Sequence, residues 1–301
     1  MYYKVYLLLA HKKPEQLKEL ITLLQDERSF FFVHIDKSVD ITLFSSLKHI
    51  DRCEFVTERT QGRWGGFGIV QGTLNGLQCI TEFMQKNYAE AAYHCIILSG
   101  EDIPLKSNRY IHDYLERYKT YSFIHHWKLP YKDWWNGGLF RFESIYAFDF
   151  NTQKGAHKLL NKAIKTLGLH FLLPVNRIKK TYPNLELYGS SQWMILSKQL
   201  ATSIVKASRT HLKFKKLFNY VLLPDELYII TLVHNFLKPE CLLIKNIPSH
   251  LIIFSGNDAN PHYLTKEDIL TNSKDSTLFA RKFDTQINGD AMTFIKEDLL
   301  R

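Results

Sequence analysis

No apolar run in this chain approaches the ~20 residues that a membrane-spanning helix needs. The opening stretch MYYKVYLLLAHK is too short for the apolar part of a cleavable leader and reads as a first strand. Cysteine is scarce: Cys53, Cys79, Cys95 and Cys241 form no C-x-x-C pair and no zinc pattern with histidine, so reduced, buried thiols in a cytoplasmic protein are expected. There is no G-x-G-x-x-G after the first strand and no G-x-x-x-x-G-K-[ST], so dinucleotide and P-loop sites lack their phosphate cradle. G-x-S-x-G is absent, which removes the nucleophile-elbow hydrolases. No Asp-x-Asp stands at a strand end, so a diphosphate bound here has to be neutralised by side-chain cations rather than by a metal.

What is present is a chain of 301 residues, 45% hydrophobic and 23% charged, ordinary for a globular protein with a sizeable core. The aromatic share of 14% is high, and surplus rings serve as core or as platforms for the flat faces of sugars. The formal charge of +9 points to anionic partners: nucleotide phosphates, nucleic acid or a membrane surface.

Strands are expected at 4–10, 30–36, 53–57 and 93–100, alternating with helices at 13–26, 40–50 and 67–85. That order predicts an α/β fold with a mostly parallel sheet covered on both faces. Ligands then bind beyond the carboxyl ends of the strands, which singles out His11, Asp36 and the loops 58–66 and 99–107. Later in the chain, a strand is expected over 187–197, helices over 198–208 and 224–236, a strand at 251–254, and a capping box from Thr265 to Asp268. With no repeat or long linker, a single domain is expected, its nucleotide-binding part about 1–120 and its acceptor and catalytic part about 121–301. The basic segments 151–180 and 211–218 read as solvated helices or as a peripheral contact with the inner face of a membrane, and 151–180 alternatively as an acceptor-binding face.

Two short strings carry candidate chemistry. PDE (224–226) opens a helix with a proline and two acids, which helix-start preferences alone explain; a carboxylate pointing into a cleft is the sharper reading, and it needs support from the rest of the chain. ARKF sets Arg281 and Lys282 beside apolar anchors, a pattern suited to phosphate oxygens or to an exposed charge pair.

Taken in order, LLLAHKKPEQLKELI, FFFVHIDK, RWGGFGIVQGTLNGL, CIILSGEDIPLKSN, YGSSQWMILSKQL, PDELYIITLVHN and LFARKF resemble the core-2/I-branching β-1,6-N-acetylglucosaminyltransferases and the related peptide O-xylosyltransferases, most of all their shorter bacterial members. The likeness covers roughly residues 4–298 and is weakest at 120–185. It implies a GT-A type fold and an inverting, metal-free transfer from a UDP-sugar, N-acetylglucosamine or xylose, to a glycan or lipid-linked glycan. It also implies Glu226 as general base, with Asp225 as a capping residue, and Lys282 on the diphosphate. His11, Asp36 and Trp64 would surround the uridine; Asp102, Arg141 and Trp193 would lie on the substrate side. The sequence departs from the family where SHLIIF puts His250 in place of a diphosphate arginine, for which Arg281 is the candidate substitute. The alternatives are an inactive nucleotide- or carbohydrate-binding module on the same fold and, on charge alone, a nucleic-acid binder without the motifs of known modules.

Overall fold

In the computed structural model, which describes residues 1–147, 154–237, 243–255 and 260–300, β1 (Tyr2–Ala10) buries nearly every side chain. Tyr3, Val5 and Leu7 enter one core; Tyr2, Tyr6 and Leu8 enter another. This two-residue period with both faces apolar forces helices onto both sides of the sheet. Helix α1 (Pro14–Leu24) covers one face through Leu17, Leu20, Ile21 and Leu24. Helix α2 (Gly68–Asn87) covers the other through Val70, Leu74, Leu77 and Met84. A Cβ at Gly76 would lie 2.2 Å from a Leu7 methyl, so the glycine that weakens α2 as a helix is what lets it approach the sheet.

The main sheet joins strands from both halves of the chain. With β2 (Ser29–Ile35), β3 (Cys53–Phe55), β4 (Ala92–Ser99), β5 (Asp102–Pro104), β6 (Ser122–Phe123), β7 (His126–Lys128), β8 (Tyr188–Ser190), β9 (Ile195–Ser197), β10 (Ile244–Lys245), β11 (His250–Ile252) and β12 (Phe279–Arg281), its order is β10-β6-β9-β4-β1-β2-β3. Only β9 runs against its neighbours, so the sheet is mostly parallel, as the alternation of elements predicts. A second sheet, β11-β12-β5, caps the carboxyl end over its own core of Ile103, Leu251, Leu264 and Phe283. The Thr265–Asp268 capping box opens a short helix beneath it.

Several expectations are corrected. The expected strand 187–197 is two short strands in different sheets, because Gly189 packs on Trp127 and Trp134 while the intervening loop turns Trp193 outward. The helix expected at 40–50 is a 3-10 run, Ile41–His49. The basic segment is helical as expected, at Lys154–Thr166 and at Pro174–Thr181. Of the cysteines, Cys95 is buried and Cys53 and Cys79 half-buried, all three as free thiols; Cys241 and residues 151–153 lie outside the described residues.

Candidate active site

A cavity of about 1550 Å³ opens where β1, β2 and β4 end, lined by His11, Asp36 and Ser99–Glu101 from the turns after those strands. All five tryptophans of the chain (Trp64, Trp127, Trp134, Trp135 and Trp193) contribute to its wall. Glu226 and the pair Arg281–Lys282 open on this same cavity.

The cation end is built by strand register. β12 runs antiparallel to β5 with Arg281 directly opposite Asp102, and parallel to β11. Cross-strand partners of opposite charge are within reach of each other. Arg281 Nη1 donates to Asp102 Oδ1 at 3.0 Å and also to Ser99 Oγ, while its guanidinium lies 4.4 Å from the centre of the Trp193 ring. Burial raises the Asp102 carboxyl above its ordinary range, and the Arg281 charge pulls it partly back. The expected substrate contact by Asp102 is therefore corrected: its side chain is 0% exposed and lies behind Arg281, away from the cavity wall. The neighbouring acid, Glu101, is the one that reaches the cavity. Its carboxylate stands 2.9 Å from Lys12, 3.6 Å from Lys282 and 3.9 Å from Arg281.

His250 contributes no charge to this cluster. Its ring is buried against Trp193 and Phe279, with Nδ1 beside Ser249 Oγ at 3.0 Å. Burial, and secondarily the Arg281 charge, push its pKa down to about 3, so it is neutral at physiological pH. β11 itself carries no arginine or lysine; Arg281, the candidate substitute, stands on the adjacent strand.

The acid end begins at Leu223, whose left-handed backbone (φ 51°) turns the chain into a 3-10 turn, Pro224–Glu226, ahead of a helix at Tyr228–Phe236. The two acids thus precede the helix rather than occupy its first turn. Glu226, with a side chain 30% exposed, accepts from Arg141 Nη1 at 2.6 Å. Arg141 is itself buried, 3.8 Å over the Trp134 ring. It is presented by a 3-10 run, Trp135–Phe142, that begins with Asn136, Gly137 and Gly138 all at positive φ. Such a turn is open to Asn-Gly-Gly and to few other sequences. Backbone bonds from Leu222 to Arg141 and from Leu223 to Gly65 tie this run and the Trp64 loop to the Glu226 turn.

Asp225 makes no side-chain cap, which corrects its expected role. Asp225 is half-buried on the cavity wall, with Oδ1 shielded from solvent and unpartnered among the described residues; desolvation first and the Glu226 charge second raise its pKa. On the opposite wall Asp36 is already satisfied: Oδ1 accepts from the Ser38 N–H at 2.8 Å and Oδ2 from the Gly62 N–H at 2.5 Å. Burial would raise its pKa, but these bonds win and hold it below the ordinary range.

Sequence reading passed over Glu101, Lys12 and the unpartnered Oδ1 of Asp225. The position of the first two, just past β4 and β1, was the signal available. Among the described residues, no three His, Cys, Asp or Glu side chains converge as a metal site, and no helix is long and apolar enough to cross a membrane.

A family model described as Core-2/I-Branching enzyme matches residues 5–269. The chain is similar to a xylosyltransferase of Ciona intestinalis, 23% identical over 310 residues that cover 96% of this chain and 33% of that protein. It is similar to xylosyltransferase 2 of Homo sapiens (21% over 311 residues, 96% and 33%) and to xylosyltransferase 1 of Rattus norvegicus (19% over 309 residues, 95% and 34%). It therefore spans about a third of the length of the curated relatives it matches. With the match running through nearly the whole described fold, the chain belongs to the Core-2/I-branching enzyme family and has that family's GT-A-like glycosyltransferase fold.

Proposed function

We propose that this chain transfers a sugar from a UDP-sugar to a hydroxyl of a glycan or glycoconjugate, with inversion and without a metal. One observation carries the reading: a part-exposed carboxylate, Glu226, and a cation cluster, Lys12, Arg281 and Lys282, share one tryptophan-lined cavity. The acceptor oxygen attacks the anomeric carbon while its proton passes to Glu226. The bond from that carbon to the diphosphate breaks, and the electron pair leaves with the phosphate oxygen, where the three cations stabilise it. Arg141 holds the Glu226 carboxylate in place until an acceptor hydroxyl arrives. The tryptophan faces supply stacking surface for sugar rings. N-acetylglucosamine, implied by the sequence resemblance, and xylose, from the relatives' names, are the donors to try first.

A panel of UDP-sugars, assayed for UDP release with and without chelator, tests this. Release from one donor that persists in excess chelator is the expected outcome. Abolition by chelator with rescue by a divalent ion defeats the metal-free reading. A second reading, an inactive binding module, draws on the fact that Glu226 and the cations already face protein partners, Arg141 and Glu101. UDP binding without release from any donor selects it.

A further inference from the structure

The positive charge of this protein does not reside at its cavity. Residues 154–224 hold thirteen Lys and Arg against a single acid, Glu186, and the rest of the chain is slightly acidic. On the helix Lys154–Thr166, the inward side is His157, Asn161 and Ile164, and the exposed side carries Lys158, Leu159, Lys162 and Lys165. The chain then turns through Leu167 (69% exposed) and Phe171 (62% exposed), and Leu159 is 72% exposed. The next helix, Pro174–Thr181, ends in exposed Lys179 and Lys180 and packs beside the helix Leu212–Phe218, which exposes Leu212, Lys213 and Lys216.

We propose that this face adsorbs to an anionic bilayer surface, lysines on the headgroups and Leu159, Leu167 and Phe171 in the interfacial layer. Lysines flanking exposed apolar side chains are the composition of an interfacial helix, in which charge attraction and apolar burial act together. Nucleic acid would use the lysines but leave the leucines and Phe171 in water. A second copy of the chain would bring like charge against like charge. The inference rests on this surface alone and stands or falls apart from the catalytic reading.

Flotation of the full chain with vesicles of phosphatidylcholine alone, and of phosphatidylcholine mixed with phosphatidylglycerol, tests it. Binding to the mixed vesicles only, weakening as salt is added, is expected. Each surface lysine contributes roughly fivefold, so K158A/K162A/K165A should bind on the order of a hundredfold more weakly. L167S/F171S should bind the mixed vesicles at least about tenfold more weakly. Because all five residues are exposed, thermal unfolding of both variants should match the parent. Equal partition into the two vesicle types, no partition into either, or an apolar double variant that binds like the parent overturns the proposal. So does a parent chain that ignores vesicles yet is retarded by a duplex oligonucleotide, an outcome that assigns the face to nucleic acid.

Discussion

The two ends of the cavity mirror each other in charge. At one end three cations, Lys12, Arg281 and Lys282, face two acids, Glu101 and Asp102; at the other two acids, Asp225 and Glu226, face one cation, Arg141. The cation end keeps one positive charge beyond its acids, whereas at the acid end Glu226 is paired with Arg141 and the raised pKa of Asp225 holds back a second negative charge. The difference lies in what is buried. At the cation end the fully buried member, Asp102, is paired across two strands, whereas at the acid end the half-buried Asp225 has an Oδ1 that is shielded and unpartnered among the described residues. Oriented charges of this kind are already in place before a ligand arrives, so little reorganisation is needed at the moment of reaction.

The largest way to break the symmetry is Glu226→Gln, expected to lower transfer by about 10²–10⁴-fold while UDP affinity, read by calorimetry, stays put. Wild-type turnover in that variant would remove Glu226 from the base role. Arg281→Ala strands Asp102 in the interior and should cost about 3–5 kcal/mol of stability in denaturant unfolding, along with UDP affinity. Adding Asp102→Asn should return most of the stability and none of the affinity; recovery of both would mean that Arg281 serves packing alone. Lys282→Ala, which leaves no buried charge unpaired, should weaken UDP binding by about 1.5–3 kcal/mol with the fold intact; unchanged affinity refutes the contact.

At the acid end Asp225→Asn should stabilise the protein by about 1–2 kcal/mol at alkaline pH and by little in acid. The sign follows from its raised pKa: as pH climbs above the ordinary carboxylate range, the folded chain resists ionising a partly desolvated group beside Glu226 that the unfolded chain ionises freely, so the parent loses stability there. A pH profile of unfolding that is parallel in parent and variant counts against this. The smallest expected effect is Glu101→Gln, which removes the anion standing among the three cations and should tighten UDP binding by about 1 kcal/mol. Weaker binding would instead make Glu101 a positioning group for Lys12 and Lys282.

Much of the fold was legible because β1, β2, β4 and α2 are long enough for their periodicity to show. The strand ends named His11, Asp36 and the start of the 99–107 loop, Ser99–Glu101, as cavity wall. The pairing that builds the cation end was not legible, since β5 and β12 are three residues each and join positions 179 apart. No periodicity survives in so short a strand, and only the register reveals that Asp102 lies under Arg281. The contact of Arg141 with Glu226, 85 residues on, was hidden likewise, although Trp-Asn-Gly-Gly marks the turn that presents it. The PDE string misled about Asp225 because first-turn preference and a half-buried place ahead of the helix leave the same letters.

The crossing of β5 by β12 also imposes an order on biosynthesis. The ribosome delivers Asp102 long before Arg281, so a nascent chain can assemble its first parallel strands while that carboxylate still lacks its counter-ion. Until β12 emerges, the acid has every reason to remain hydrated and its loop open. Closure of the cation end is thereby left to one of the last strands translated, and a chain cut short before Arg281 would carry most of the main sheet without the strand that joins β11 to β5.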